Sequence, residues 1–455
     1  MKRIAVVGGG ISGLGAAWRL AGAQDEVAVT LFEADGRAGG HANTLDVTLP
    51  GADGKPITHG VDTGFLVFNE RTYPQLIRLF DELKVPTAPS DMSFSVQVPG
   101  ALEWCGSSLA TVFAQRRNLV SGPFWRMLGD ILRFNRLCTS LAMHGQEAAL
   151  RESIGDFLNR HGFSPLFREG YLLPMVACIW SCPVQQMMAF PIATLIRFCH
   201  NHGLLQVTRR PQWFTVRGGS REYVRRMVRD LPDVRLHNPV HSVVPLGLAG
   251  EAGVMVHSRM GAERFDAVVL ACHSDQALGM LGAGALPQER AVLGAIRYQS
   301  NEAILHTDER LLPERRSAWA AWNYERAANA SDEDRSVCLH YLLNRLQPLP
   351  WQQPVIVSLN AVRPPQATQV LARLDYAHPV FDQAAIDAQR ELPMIQGRRG
   401  LWFAGAWTGY GFHEDGLCSG LWAADALMAR WRHADDPPSV SNVGVLPERG
   451  LRVPA

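Results

Sequence analysis

The chain has 455 residues, 47% of them hydrophobic, and a formal net charge of +1. That length exceeds the usual single core, so two domains are expected. The near-neutral balance carries no polyanion signal and argues against nucleic acid as a partner, and no apolar run approaches the roughly 18 residues that span a bilayer.

The first predicted element is a buried parallel strand, Ile4-Ala5-Val6-Val7. It runs into Gly8-Gly9-Gly10-Ile11-Ser12-Gly13, which fits G-x-G-x-x-G, and then into a helix carrying Ala16, Ala17, Trp18 and Leu20. A second apolar strand, Val27 to Phe32, ends at Glu33. Each part has a physical task. Gly8, Gly10 and Gly13 let the backbone turn and approach a pyrophosphate, whose charge sits at the helix N-terminus around Ile11 and Ser12. The acid at the end of the second strand accepts hydrogen bonds from a ribose. Dinucleotide binding is therefore predicted.

The next segment, Glu33-Ala34-Asp35-Gly36-Arg37-Ala38-Gly39-Gly40-His41, resembles the E-x-x-x-R-x-G-G-R stretch of the flavin amine oxidase superfamily. That group includes protoporphyrinogen oxidases, carotenoid-type desaturases and fatty-acid double-bond isomerases. The resemblance implies that Glu33, Ala34, Arg37, Gly39 and Gly40 lie along FAD, with His41 in place of the usual arginine. Asp62-Thr63-Gly64-Phe65-Leu66 is similar to the next flavin-edge segment, which adds Gly64, Phe65 and Leu66 to the expected FAD contacts.

The fold implied is α/β: a discontinuous Rossmann-type FAD-binding domain from residues 1–75, 210–275 and 385–435, with a mixed α+β substrate domain from 76–209 and 276–384. Residues 436–455 read as a C-terminal extension. In the first substrate stretch, helical periodicity runs from Trp125 to Leu137. Tyr171 to Trp180 and Met187 to Pro191 read either as core or as a greasy tunnel or membrane-facing lid. In the second FAD segment, Trp213 to Val216 reads as a strand, and Gly218-Gly219-Ser220 opens a helix. The latter is not a second G-x-G-x-x-G, so no separate NAD(P)H domain is expected. Val240 to Val244 reads as a strand in which Val243 would meet the adenine, and Phe265 to Ala271 as one buried strand. Trp319, Trp322, Asn323 and Tyr324 form an aromatic cluster that fits either core or tunnel.

Near the C-terminus, Leu401 to Trp407 resembles the superfamily's last strand, with Gly405 in place and Ala406 where an acid usually binds the ribitol chain. Gly416-Leu417-Cys418-Ser419-Gly420 matches the helix start whose amides face the flavin in relatives, and a helix N-terminus stabilises the charge of a reduced flavin. Between these lie His413, Glu414 and Asp415. His413 stands where amine oxidases carry an aromatic cage residue. The only lysines are Lys2, Lys55 and Lys84, so the later lysine of many amine oxidases is missing. A histidine beside a flavin moves protons near neutral pH, and His413 with Glu414 is the expected catalytic pair; Asp415 fits a helix cap. No cysteine stands about forty residues before His413, where thioether-linked relatives carry theirs, so FAD is expected to be non-covalent.

Over roughly residues 1–430 the chain is similar to a bacterial subgroup of predicted NAD/FAD-binding proteins that resemble fatty-acid-modifying flavoproteins. The resemblance implies a lipophilic substrate, a methylated or unsaturated fatty acyl chain, and a dehydrogenation. A double-bond isomerase, an amine oxidase and a non-catalytic FAD protein are the alternatives. The eight cysteines make no disulfide framework in a chain this long, and Cys178 and Cys182, four apart, have no second pair at zinc spacing. Thiols of a reducing compartment and no metal are expected. The chain opens directly on a strand, leaving no room for a signal peptide. A cytoplasmic protein is expected, with peripheral contact to the inner membrane face as the alternative placement.

Overall fold

The computed structural model describes residues 1–23, 25–180, 187–206, 210–246, 253–326 and 337–432. Cys182 and the expected extension 436–455 lie outside these described residues.

Five parallel strands form the nucleotide sheet, in the order Val234–Arg235, Val27–Phe32, Lys2–Val7, Ala267–Leu270 and Leu401–Phe403. A parallel sheet must be covered on both faces, which is why its strands read as continuous apolar runs. Ile4, Val6 and Val269 pack toward the helices Ile11–Ala21 and His413–Arg432. Ala5, Val7, Val268 and Leu270 pack toward an antiparallel sheet of Val240–Pro245, Val254–Ser258 and Gly261–Phe265.

One strand expectation needs correction. The run from Phe265 to Ala271 is not one strand. It breaks at Asp266, leaving the antiparallel sheet and entering the parallel one. The charged residue sits at the break, where its carboxylate accepts from the Arg3 amide at 2.7 Å and its own amide donates to the Arg3 carbonyl at 2.8 Å. Trp213–Val216 is a strand, but it pairs with Phe68–Asn69 and Thr87–Ser90 in a small antiparallel sheet outside the nucleotide sheet.

A seven-stranded sheet runs in the order Val370–Val380, Arg297–His306, Ile356–Leu359, Cys338–Leu342, Trp322–Glu325, Phe94–Val98 and Leu102–Cys105. One face contributes Ala303, Leu305, Leu339, Val357 and Tyr324 to a core shared with the helices Gly122–Met143, Leu173–Trp180 and Ile192–Asn201. Val176, Ala177, Cys178, Met187 and Phe190 are buried there, so this apolar stretch packs as core. The other face is polar yet buried. His306 Nε2 meets Ser358 Oγ at 2.6 Å, Ser358 meets His340 Nδ1 at 2.6 Å, and His340 Nε2 meets Glu325 at 2.9 Å. Arg363 closes the chain on Glu325. Cys338, Glu325 and His340 approach one another closely enough to be compared with a metal site, but Arg363 already neutralises the carboxylate.

Candidate flavin site

The site begins at the turn after Lys2–Val7. A Cβ on Gly8, which has φ +106°, would lie 2.7 Å from the Ala271 carbonyl, and one on Gly13 would lie 1.8 Å from the Gly8 carbonyl. A side chain at Gly8 would push the turn off the end of the neighbouring strand Ala267–Leu270, and one at Gly13 would force the first strand and helix apart. At Gly10 a Cβ would meet nothing within 4 Å; the middle glycine faces open space, as close approach by a pyrophosphate requires. The Glu33 carboxylate accepts from the Gly9 amide at 2.7 Å and the Asp35 amide at 2.9 Å, locking the turn to the second strand. Ala34 lies exposed beside it. The His237 amide donates to the Asp35 carbonyl and the Asn238 amide to the Glu33 carbonyl, both at 2.9 Å, which leads the strand bearing Val243 away from the same acid.

The second glycine loop is pinned to the first, since the Gly39 amide donates to the Gly9 carbonyl at 2.7 Å. Arg37 braces this loop by donating to the carbonyls of Gly40 and Ala42. Residues 62–66 lie against it: the Phe65 amide donates to the His41 carbonyl at 2.8 Å, and a Cβ on Gly64 would collide with that carbonyl. Leu66 is buried. Asp62 is the hub beneath. It accepts from Thr44, Ser220 and Gln347, joining three distant segments, and burial pushes it up to about 6 despite these donors.

His41 stacks on Tyr376 at 5.0 Å and leans on His378 at 5.3 Å. Part of the residue is exposed, but Nε2 is shut off from solvent and has no hydrogen-bond partner among the described residues. Burial first, then the charges of His378, His273, His413 and Arg37, hold His41 well below the usual histidine range. Tyr376 is fixed by Thr63 at 2.8 Å and Asn43 at 3.1 Å, and His378 Nδ1 lies 3.0 Å from Asn301 Nδ2. Neither Tyr376 nor His378 stood among the expected site residues. Their signal was the two-residue spacing on one strand, which puts both on one face.

The C-terminal half of the site arrives on the helix His413–Arg432. A Cβ on Gly416 would lie 2.9 Å from Ile11 and Ser12, and Leu417 is fully buried. The two helix N-termini therefore stand side by side, and their dipoles add where an anion would sit. Ser419 Oγ, 2.9 Å from the Gly405 amide, holds the loop on which Ala406 replaces the expected acid.

His413 stacks on Phe65 at 3.9 Å and 11°, and its Nε2 lies 2.6 Å from the Tyr223 hydroxyl. Burial pushes it down to about 3. Glu414 is the next residue. Its oxygens accept from the Gln75 amide at 2.9 Å and the Leu76 amide at 3.0 Å, capping the helix Pro74–Leu83 from outside. Asp415 accepts from the amides of Tyr410 and Phe412 and so shapes the approach to its own helix.

These features fit FAD. The open space at Gly10, the paired helix N-termini and the orphaned Nε2 of His41 are what a pyrophosphate and a flavin would satisfy. The model of the family described as flavin containing amine oxidoreductase matches residues 11–428. The chain belongs to this family. As a flavin amine oxidoreductase it is an FAD-dependent enzyme, and FAD is held without a covalent link. Its fold is similar to solved structures across nearly its whole length. One is a cyclohexylamine oxidase from Brevibacterium oxydans IH-35A, with 18% identity, a TM-score of 0.65, and 95% of this chain and 99% of that one covered. Another is a CLA-producing fatty acid isomerase from P. acnes, with 14% identity, a TM-score of 0.63, and 94% and 98% covered. A putrescine oxidase bound to putrescine gives 15% identity, a TM-score of 0.64, and 94% and 99% covered. Among curated proteins none matches the chain. No helix of this flavin amine oxidoreductase, among the described residues, is long and apolar enough to cross a membrane.

Proposed function

We propose that the protein dehydrogenates a lipophilic substrate, a methylated or unsaturated fatty acyl chain. One observation carries this reading. Residues 410–413, between the last strand and the helix that follows, meet uncharged aromatic neighbours: Phe65 on His413, and Phe198 on Tyr410 and Phe412. The two carboxylates that come next are turned to backbone amides. Such a wall accepts an alkyl chain and offers an ammonium group little. No lysine follows Lys84 to serve amine oxidation.

Gly8, Gly10 to Gly13, Glu33, Ala34, Arg37, Gly39 to His41, Gly64 to Leu66, Val243, Gly405, Ala406, Gly416 and Leu417 would hold FAD, which supplies a hydride acceptor when bound. The rest falls to side chains. With its Nε2 proton donated to the Tyr223 oxygen, neutral His413 keeps a lone pair at Nδ1 and takes the allylic proton there. Glu414 acts as a positioning residue. It caps the helix whose Phe80 packs on Tyr223 at 5.4 Å, and Tyr223 orients His413. In this reading residues 1–75, 210–275 and 385–435 bind the nucleotide, residues 76–209 and 276–384 enclose the substrate, and the enzyme works in the cytoplasm at the inner membrane face.

The fold shared with a fatty acid isomerase supports a second reading, in which the hydride returns elsewhere on the same chain. Product mass separates the two. Incubating the FAD-loaded enzyme with methylated and unsaturated acyl lipids should give a product two hydrogens lighter. An unchanged mass with a moved double bond would favour isomerisation, and no conversion of any acyl lipid would remove both.

A further inference from the structure

We propose that the segment from Gly106 to Met143 is a docking surface for an anionic lipid bilayer. Two independent observations meet there. The first is exposed apolar surface: Val120 is 88% exposed, Leu109 79% and Trp125 52%. They are neighbours. Phe113 packs on Trp125 at 5.2 Å, the Trp125 indole donates to the Leu119 carbonyl at 2.9 Å, and the Phe113 amide donates to the Leu109 carbonyl. The second is charge. Residues 105–144 hold five arginines, Arg116, Arg117, Arg126, Arg133 and Arg136, against a single acid, Asp130, in a chain that is nearly neutral overall. Asp130 is buried, accepts from the Ser164 amide and pairs with Arg133. Arg116, Arg126 and Arg136 make no ion pair among the described residues.

The helix Gly122–Met143 puts the two properties on one face. Phe124, Met127, Phe134 and Cys138 are buried against the core. Its outer side presents Trp125, Arg126, Leu132, Arg133, Arg136 and Met143. Beside its N-terminus lies an open concavity lined by Gln115, Arg116, Arg117 and Arg315; Arg117 donates to the Gly100 and Ala101 carbonyls and Arg315 pairs with Glu103, which leaves Arg116 as the lining guanidinium without an ion pair among the described residues. Interleaved arginines and apolar side chains suit the boundary between headgroups and acyl tails. A second copy of this chain would bring like charge against like charge, and a nucleic acid would leave Val120 and Leu109 in water.

The proposal rests on the acyl-lipid reading for its purpose, but binding is measured without turnover. Full-length protein with bound FAD is sedimented with vesicles of phosphatidylglycerol and phosphatidylcholine in equal parts, and with vesicles of phosphatidylcholine alone. We expect partitioning to the anionic vesicles at least about tenfold stronger, falling with added salt. Val120→Asp and Arg126→Glu, both at exposed positions, should each weaken it several-fold while flavin content and melting temperature stay unchanged. Equal partitioning to both vesicle types, no partitioning, or indifference to both substitutions would overturn the proposal. So would a dimer in sedimentation velocity that Val120→Asp dissociates. Binding without conversion of any acyl lipid would retain this surface and remove the substrate reading; conversion of dispersed acyl substrate without binding would do the reverse.

Discussion

Two buried histidines of this protein carry opposite charge states. His413, in the flavin site, has a stacked phenyl ring on one face and a neutral hydroxyl on Nε2, and burial pushes it down to about 3. His340, on the reverse face of the seven-stranded sheet, is fully buried as well. Burial would lower it too, but Cys338 and Glu325 outweigh that and push it up to about 9. The presence of an anion decides the outcome. At His340 a carboxylate sits 2.9 Å from the ring and Arg363 balances it. At His413 the adjacent carboxylate, Glu414, bonds to the amides of another helix. At His340 a charged imidazole holds a structural network in place, and at His413 burial keeps the imidazole neutral, the state that the proposed proton transfer starts from.

The largest effect that would break this comparison is expected at Glu325. Glu325→Gln leaves His340 and Arg363 without their anion, and denaturant unfolding should show a loss of about 3–5 kcal/mol. A loss below about 1 kcal/mol would mean that His340 is not charged. At the other pole, His413→Phe preserves the stack on Phe65 and should keep FAD bound. The rate of flavin reduction by substrate should fall by at least about 100-fold, the usual scale of general base catalysis.

The pH profile of stability sharpens the contrast. His340 has a raised folded value, so its contribution is fully present below about 6.5, its unfolded value, and is lost as pH rises through about 9. His413 has a lowered one. Its neutral burial costs nothing above about 6.5 and destabilises as pH falls from there toward about 3. His378 and His306, each lowered to about 4, add to the acid limb. Melting temperatures should fall on both sides. Glu325→Gln should flatten the alkaline limb only, and His413→Phe should make the acid limb shallower without touching the alkaline one. The smallest effect is expected for Glu414→Gln, which weakens one cap of the helix Pro74–Leu83 and should cost about 1 kcal/mol. A rate loss as large as that of His413→Phe would instead make Glu414 a catalytic base.

The flavin half of this picture was legible in the sequence because its signals are local. Gly8, Gly10, Gly13 and Glu33 announce a turn and an acid through their spacing within one strand–helix–strand unit, although the carbonyl that Gly8 must clear, on Ala271, is remote in sequence. The break at Asp266 was half legible, a lone charge inside an apolar run. Glu414 could not be read. Its partners Gln75 and Leu76 are more than three hundred positions distant, and a carboxylate at a helix start suits a cap or a base equally. The His306–Ser358–His340–Glu325 chain was hidden for the same reason: each member sits on a different strand, and only their register puts the side chains on one face. Ala406 also shows how local reading falls short, since the loop lacking its acid is held by Ser419 from the helix beyond.

The most direct measurement is anaerobic stopped-flow reduction of the bound flavin by a methylated unsaturated acyl lipid, followed from about pH 5 to about pH 8. A neutral His413 in an apolar wall predicts bleaching by the lipid and not by amines, at a rate that stays level across this range. A rate that falls through the ordinary histidine range on the acid side, or a flavin that amines reduce and acyl lipids do not, would contradict the account.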